Sequence, residues 1–337
     1  MKYSGIDLHS NNSVVVVIDE TDRVVFERRL PNELAGIVMA LAPYREELAG
    51  IVVESTYNWY WLVDGLQAAG YRVHLANTTA IKRYEGLKRS GDETDAAYLA
   101  QLLRLGILPT GYICPPAERA LRDLARKRAQ LSRSRTAHIL AAENIVVRQT
   151  GSRIASNATK QLSAEQLQGF RLHEDVTPAL AANVAVIKTL SAQIAKLEAR
   201  LRRKVQPRAE FKLLMSTPGI GDILASTIML ETGTIERFAA VGNFSSYARC
   251  VDSKRVSNGK KKGEGNVKNG NRYLAWAFIE AAHFARRYCA EAKRFYERKK
   301  ARTNTTVATK ALAHKLARAC YHMLKERQPF DVKRCFS

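Results

Sequence analysis

Three short runs rich in Val and Ile, Tyr3–Asp7, Ser13–Asp19 and Arg23–Leu30, follow one another within the first 30 residues. Only turn residues separate them, Asn11-Asn12 and Thr21-Asp22. Spacers that short leave no room for a crossover, so the runs pair as sequential antiparallel strands. The pattern then changes. Pro31-Asn32 opens a helix through Leu41, and Gly50–Glu54 is a short apolar strand. Asn58–Ala69 is a helix carrying Trp59, Trp61, Leu62 and Leu66; Tyr71–Leu75 is a further strand, followed by helices near Thr79–Leu87 and Glu93–Leu105. A strand–helix–strand alternation calls for parallel crossovers, so the order βββαβαβα predicts a mixed sheet with helices on its faces.

That order is the pattern of a ribonuclease H-like domain, closed at Pro115-Pro116. Beyond it the periodicity is helical. Ala117–Arg148 has Leu121, Leu124, Leu131, Ile139, Ala142 and Ile145 at helical spacing, with Arg119, Arg122, Arg126, Arg133 and Arg135 on another, basic face expected to contact nucleic acid. Thr150–Ser163 is polar and is expected to be a linker or break. Val176–Val205 repeats Leu180, Val184, Ile187, Leu190, Ile194, Leu197 and Leu201, a spacing that suits a coiled-coil arm closed either within one chain or between two. From Pro207 a mainly helical domain is expected: helices Phe211–Ser216 and Ile223–Gly233, the segment Phe238–Cys250, a Gly/Lys/Asn-rich loop, and helices Tyr273–Arg287 and Thr306–Glu326. The expected domains are therefore 1–115, 116–206 and 207–337, an α/β unit followed by α-helical ones.

Charge divides along the same line. The chain of 337 residues carries 54 Lys and Arg against 32 Asp and Glu, a net +22. Residues 1–110 have 11 basic and 14 acidic side chains, a net −3, so the remainder carries +25. Such an excess calls for a polyanionic partner, most commonly nucleic acid. With 46% hydrophobic residues the chain can bury real cores, which excludes wholesale disorder. No uninterrupted run of about 18 apolar residues suggests a membrane span. No export signal opens the sequence, and five scattered cysteines without a CxxC pair speak against zinc or a disulfide framework; a cytoplasmic location is expected.

The near-neutral front keeps carboxylates in telling places. Asp7 ends an apolar strand in Gly5-Ile6-Asp7-Leu8-His9, and Glu54 ends another in Val52-Val53-Glu54. A charge at the end of a buried strand is unfavourable unless paired or metal-bound. Asp92 and Asp95 stand three apart at a helix start, on one face. Brought to one sheet edge, four hard oxygen donors suit Mg²⁺ and phosphoryl transfer. Taken singly, Asp7 could be a turn residue and Asp92 a helix cap. His9, His283 and His314 have no ligand-like spacing with Cys or with one another and read as structural. In the loop from Ser253 to Asn271, glycines let amides approach phosphate, and Lys254, Lys260, Lys261, Lys262 and Lys268, with Arg272 just beyond, neutralise it. That loop reads either as a phosphate grip or as the seat of a serine nucleophile, although no activating base adjoins it. Pro218-Gly219-Ile220-Gly221 reads either as a tight turn or as a helix-hairpin-helix-like contact to the DNA backbone through Gly219 and Gly221.

The ordered set Gly5-Ile6-Asp7-Leu8-His9, Val53-Glu54-Ser55-Thr56, Asp92-Glu93-Thr94-Asp95-Ala96, Thr217-Pro218-Gly219-Ile220-Gly221, Ser257-Asn258-Gly259 and Lys268-Asn269-Gly270-Asn271-Arg272 resembles the insertion-sequence-110 family of transposases. This family includes the Piv and MooV invertases and the bridge-RNA-guided recombinases. The resemblance implies a RuvC-like domain with a DEDD tetrad, here Asp7, Glu54, Asp92 and Asp95, a coiled-coil segment, and a transposase domain with a catalytic serine, here Ser257. Many relatives have two serines before the glycine; Asn258 stands at the second position, leaving Ser257 with Ser253 as a weaker second. It further implies a Mg²⁺-dependent site-specific recombinase with a phosphoserine–DNA intermediate, dimers assembling to a tetramer on donor and target DNA, a site shared between protomers, and a structured bridge RNA. Three rival readings remain at this level: a junction-resolving nuclease that uses water, a sugar-kinase-like ATPase, and a non-catalytic nucleic-acid scaffold. The kinase reading has no second Asp-x-Gly phosphate loop to support it.

Overall fold

The computed structural model describes the whole chain except residues 82–90, 253–254 and 264–268, and leaves aside the side chains of residues 255, 256 and 261. The chain divides into two compact units, Met1–Pro116 and Ala117–Ser337.

In the first unit, β1 (Lys2–Leu8), β2 (Asn12–Asp19) and β3 (Val24–Pro31) form the antiparallel meander that their short spacers dictate. α1 (Leu34–Leu41) leads to β4 (Leu48–Glu54), which lies parallel to β1; α2 (Tyr60–Ala68) leads to β5 (Val73–Ala76), parallel to β4. The five-stranded order is β3-β2-β1-β4-β5, with β1 in the centre. Alternation along β1 sorts its side chains between two layers. Ile6 and Leu8 join Val15, Val17, Ile51 and Val53 against α1 and α2. On the other face, Val14, Val16 and Ile18 pack on Ala96 and Ala100 of α3 (Asp92–Arg104). α3 comes unusually close, because a Cβ at Gly5 would lie 1.9 Å from the carbonyl oxygen of Ala96. Gly5 thus sets how deeply α3 sinks onto β1. The helix expected at Thr79–Leu87 falls mostly outside the described residues.

The second unit is mostly helical. α4 (Pro116–Thr150) is followed by α5 (Ser156–Gln161), a helix inside the expected linker, and α6 (Ala164–Gly169). α6 begins at a capping box: the Gln166 amide donates to Ser163 Oγ, and the Ser163 amide to Gln166 Oε1. α7 (Val176–Val205) runs antiparallel to α4, as the ladder His138–Asn183, Arg135–Ser191 and Arg128–Glu198 records. Leu180, Val184 and Ile187 close on Ile139, Ala142 and Val146, so this apolar stripe is used within one chain. One 18-residue window of α7 reaches a mean hydropathy of 1.2, which makes the helix long and apolar enough to cross a membrane, although no unbroken apolar run marks it.

The remaining core gathers α8 (Ala209–Met215), α9 (Asp222–Thr232), α10 (Val241–Tyr247), α11 (Arg272–Tyr288), α12 (Ala290–Arg302), α13 (Thr305–Glu326) and the short α14 (Val332–Phe336). Phe244 and Phe278 meet edge to face at its centre, and Ala277, Ala281 and Ala285 let the helices beside α11 approach closely. Before α11, β6 (Arg255–Ser257) and β7 (Lys260–Gly263) form a hairpin where a loop is expected. The physical reason is Asn258-Gly259. Both have positive φ, 50° and 70°, as a two-residue hairpin turn of the right twist requires.

Candidate active site

The first unit brings all four predicted acids to the end of the sheet where β1 and β4 finish. Asp7 shares a face with Gly5, toward α3, and is only 5% exposed. The parallel register pairs Ile6 with Val53, which sets Glu54 beside Asp7. α3 starts at the same edge, where the Thr94 hydroxyl accepts from the Gly91 amide at 2.9 Å. Asp92 and Asp95 occupy its first turn, where the helix dipole favours negative charge.

Electrostatics confirm the crowding. Burial, a hydrogen bond to Asp7 and the charges of Asp7 and Asp95 push the Glu54 carboxyl up to about 7. Asp92 is held below the usual carboxylate range by its hydrogen bond from Arg29 Nη2, at 2.7 Å, and by His9. Arg29 reaches the edge because β3 carries it in register with Val14, itself opposite Asp7.

One residue read as structural belongs to the cluster. His9 Nε2 lies 3.1 Å from Asp92 Oδ2 and 3.5 Å from Asp7 Oδ2. That nitrogen is shielded from solvent and has no aligned hydrogen bond among the described residues, although the His9 side chain as a whole is 35% exposed. Asp7, His9 and Asp92 offer ligand atoms all within 4.8 Å of one another. The sequence signal for it is proximity alone: His9 stands two residues after Asp7, just past the end of β1. Arg29 carried no such signal, since only the β2–β3 register reveals it.

A divalent cation fits this site. Carboxylate oxygens dominate the donors, one carboxyl is kept near neutrality by its neighbours, and a buried imidazole nitrogen points into the cluster without an aligned partner.

Ser257, in the second unit, is exposed at the end of β6, paired with Lys260 across the Asn258-Gly259 turn. The segment that follows is anchored at Asn271, which caps α11 by accepting from the amides of Tyr273 (2.8 Å) and Leu274 (3.1 Å). Asn271 Nδ2 also donates to Glu231 Oε2 at 2.7 Å, and Arg126 grips the same buried carboxylate with two bonds of 2.6 and 2.7 Å. Lys260, Lys262 and Arg272 are exposed, as a phosphate grip requires. Lys254, Lys268 and Ser253 lie outside the described residues, as does the Lys261 side chain.

The expected basic face of α4 needs correction. Arg119 is 3% exposed, and Arg126 is committed to Glu231. Arg122 and Arg135 are half-buried, and Arg135 Nη1 reaches Ser191 Oγ at 3.3 Å. Only Arg133 of the five stands exposed. Positions 119, 122 and 126 recur at three- and four-residue steps, so this row turns inward. Gly219 is likewise a packing residue: at φ 85° its missing Cβ would lie 2.5 Å from the Ala281 oxygen on α11. Gly221 caps α9 and is open, while the neighbouring Asp222 pairs with Arg202 at 2.9 Å.

Comparison with known proteins agrees with both halves of this description. Residues 4–148, which hold the carboxylate cluster, match the family model described as Transposase, for DEDD transposases of IS110. Residues 211–297, which hold the serine hairpin and Asn271, match the model Transposase IS116/IS110/IS902 family. The chain is 24% identical over 335 residues to the "Probable family 20 transposase" of Pseudomonas aeruginosa, covering 95% of this chain and 96% of that protein. It is 26% identical over 152 residues to the "Insertion element IS110 uncharacterized 43.6 kDa protein" of Streptomyces coelicolor, covering 45% of this chain and 37% of that one. With its acidic cluster in one matched segment and its serine hairpin in the other, the chain belongs to the IS110 family of transposases, enzymes that cut and rejoin DNA.

Proposed function

We propose that this transposase is a site-specific recombinase whose first unit is a ribonuclease H-like, RuvC-like domain and whose nucleophile is Ser257. The observation that carries the reading is the convergence of Asp7, Glu54, Asp92 and Asp95 where β1 and β4 end beside α3. The strand order β3-β2-β1-β4-β5 supports the ribonuclease H-like assignment. When bound, a divalent cation, Mg²⁺ by the hardness of the donors, supplies charge neutralisation at a scissile phosphate. Asp7 and Glu54 from the sheet, and Asp92 and Asp95 from α3, would hold it. His9 and Arg29 orient Asp92.

Ser257 attacks phosphorus through Oγ. The Oγ–P bond forms as the bond to the 3′ oxygen breaks, and the hydroxyl proton ends on that departing oxygen by way of solvent. A 3′ hydroxyl from a second strand reverses the step on the new partner, so no nucleotide cofactor is consumed. The positive loop around Ser257 and the net +25 of residues 111–337 support DNA and a structured bridge RNA as partners. Sequence choice then lies in base pairing, and dimers assemble to a tetramer around donor and target. The domain reading of 1–115, 116–206 and 207–337, with helix-hairpin-helix-like contact at Gly221, belongs to the same proposal.

The test is to express the chain with the DNA that flanks its gene, sequence co-purifying RNA, and assay cleavage with Asp7→Asn, Glu54→Gln and Asp92→Asn. A discrete RNA mapping beside the gene and cleavage lost in all three variants are expected. Cleavage that survives all three substitutions contradicts the carboxylate site, and random cellular RNA contradicts RNA guidance.

A further inference from the structure

A groove of about 540 Å³ opens between α4 and α11, lined among others by Arg128, Ser132, Arg133, Arg272, Tyr273 and Trp276. Its chemistry is uneven in a useful way. Three arginines line it and no acidic side chain does. Arg128 is already engaged by Glu198 at 2.6 Å, whereas Arg133 and Arg272 are exposed. The Tyr273 ring is held between two guanidiniums, Arg126 at 4.8 Å and Arg272 at 5.1 Å. Trp276, one turn further along α11, is 39% exposed and makes no ring or cation contact among the described residues. The Ser132 hydroxyl lacks a hydrogen-bond partner among them as well.

An indole left bare on a rigid helix, in one groove with the exposed guanidiniums of Arg133 and Arg272, matches what an unpaired nucleotide needs. The ring offers a stacking face to any base, and the arginines meet the flanking phosphates. A base-paired duplex keeps its base faces stacked internally and cannot use such a ring. The location adds to this. Arg272 and Tyr273 are the first residues after Asn271, the cap that ends the segment carrying Ser257.

We infer that this groove binds an unpaired DNA nucleotide next to the cleavage position, with Trp276 as its stacking platform and Arg133 and Arg272 as its phosphate contacts. The inference rests on the DNA-recombinase reading and goes beyond it by naming a subsite for single-stranded substrate.

The experiment measures anisotropy of a labelled oligothymidylate of about ten nucleotides on the full-length protein, over a salt series, beside a duplex and an oligouridylate of equal length. Trp276→Ala is expected to weaken the single-strand affinity roughly tenfold or more, with its salt slope and the duplex affinity unchanged. Trp276→Phe should recover part of the loss. Arg133→Gln and Arg272→Gln should each lower the salt slope by about one. Equal losses on duplex and single strand, or none on either, overturn the stacking site. Tighter binding of oligouridylate overturns the DNA assignment. A change in oligomeric size by light scattering, with oligothymidylate affinity intact, also overturns it and makes the ring an interface residue. Failure of this site leaves Ser257-dependent cleavage intact, whereas failure of the recombinase reading removes the Ser257 dependence itself.

Discussion

Replacing Glu54 by Gln separates what this carboxyl does for stability from what it does for metal binding. Glu54 sits half-buried beside Asp7 and Asp95, and its pKa rises from 4.5 to about 7. Below pH 4.5 the group is neutral in both folded and unfolded chains, so it exacts no penalty. Between 4.5 and 7 the unfolded chain ionises first and the folded state loses relative stability; above 7 the full penalty stands. A displacement of that size corresponds to roughly 3.4 kcal/mol at about 1.36 kcal/mol per unit. Solvent screening of a half-exposed group reduces this to about 1–2 kcal/mol. Gln is neutral, nearly isosteric and can still donate to Asp7. In chelator, Glu54→Gln should therefore unfold at higher urea than the parent at pH 8, by about 1–2 kcal/mol, and match it at pH 4.5. Trp59 and Trp61 report on the first unit if Trp276→Phe removes the fluorophore of the second. Adding Mg²⁺ at pH 8 should stabilise the parent and leave the variant nearly unmoved. A variant that is equally destabilised at both pH values would refute the idea that neighbouring carboxylates are held together against repulsion.

Three further outcomes follow from the packing. Gly5→Ala places a Cβ against the Ala96 oxygen, so it should destabilise the first unit by about 1–3 kcal/mol in urea melts and abolish cleavage by lifting α3 away from Asp7; full cleavage would contradict the close approach. Arg126→Ala strands the buried Glu231 and should destabilise the second unit by about 3–5 kcal/mol, while Arg133→Ala stays within about 0.5 kcal/mol by the same denaturation assay. Asn258→Ala forces a Cβ residue into the left-handed region at φ 50°, so amide exchange in the β6–β7 hairpin should speed up about 5- to 30-fold, and Asn258→Gly should not do this.

Much of this architecture was legible because it rests on short-range rules. The meander follows from spacers too short for anything else; Asp7 and Glu54 are marked by charge at the ends of apolar strands, and Asp92 and Asp95 by their three-residue spacing at a helix start. The failures also have physical causes. His9 has no ligand-like spacing to His or Cys along the chain, and only the arrival of α3 beside the end of β1 sets it against Asp92. The arginines of α4 read as a nucleic-acid-contacting face, yet a guanidinium paired with a buried acid such as Glu231 sits comfortably inside, and nothing local announces an acid more than a hundred residues away. α12 carries no clear apolar stripe in sequence, because eight of its 13 residues are charged and only Ala292 and Tyr296 are buried. The hairpin at Asn258-Gly259 was hidden by the lysines and glycines around it, although that dipeptide is a strong turn signal. It also accounts for the departure from the two-serine pattern: Asn tolerates the positive φ that the turn demands at this position.

The most direct measurement incubates the protein with its substrate DNA and Mg²⁺, traps the reaction, digests it with protease, and maps any nucleotide-bearing peptide by mass spectrometry. A phosphodiester-linked adduct on Ser257, lost in Ser257→Ala and in Asp7→Asn, is the predicted result. An adduct that persists in Ser257→Ala, or cleavage without any adduct, would contradict the serine mechanism and return the carboxylate site to a nuclease that uses water.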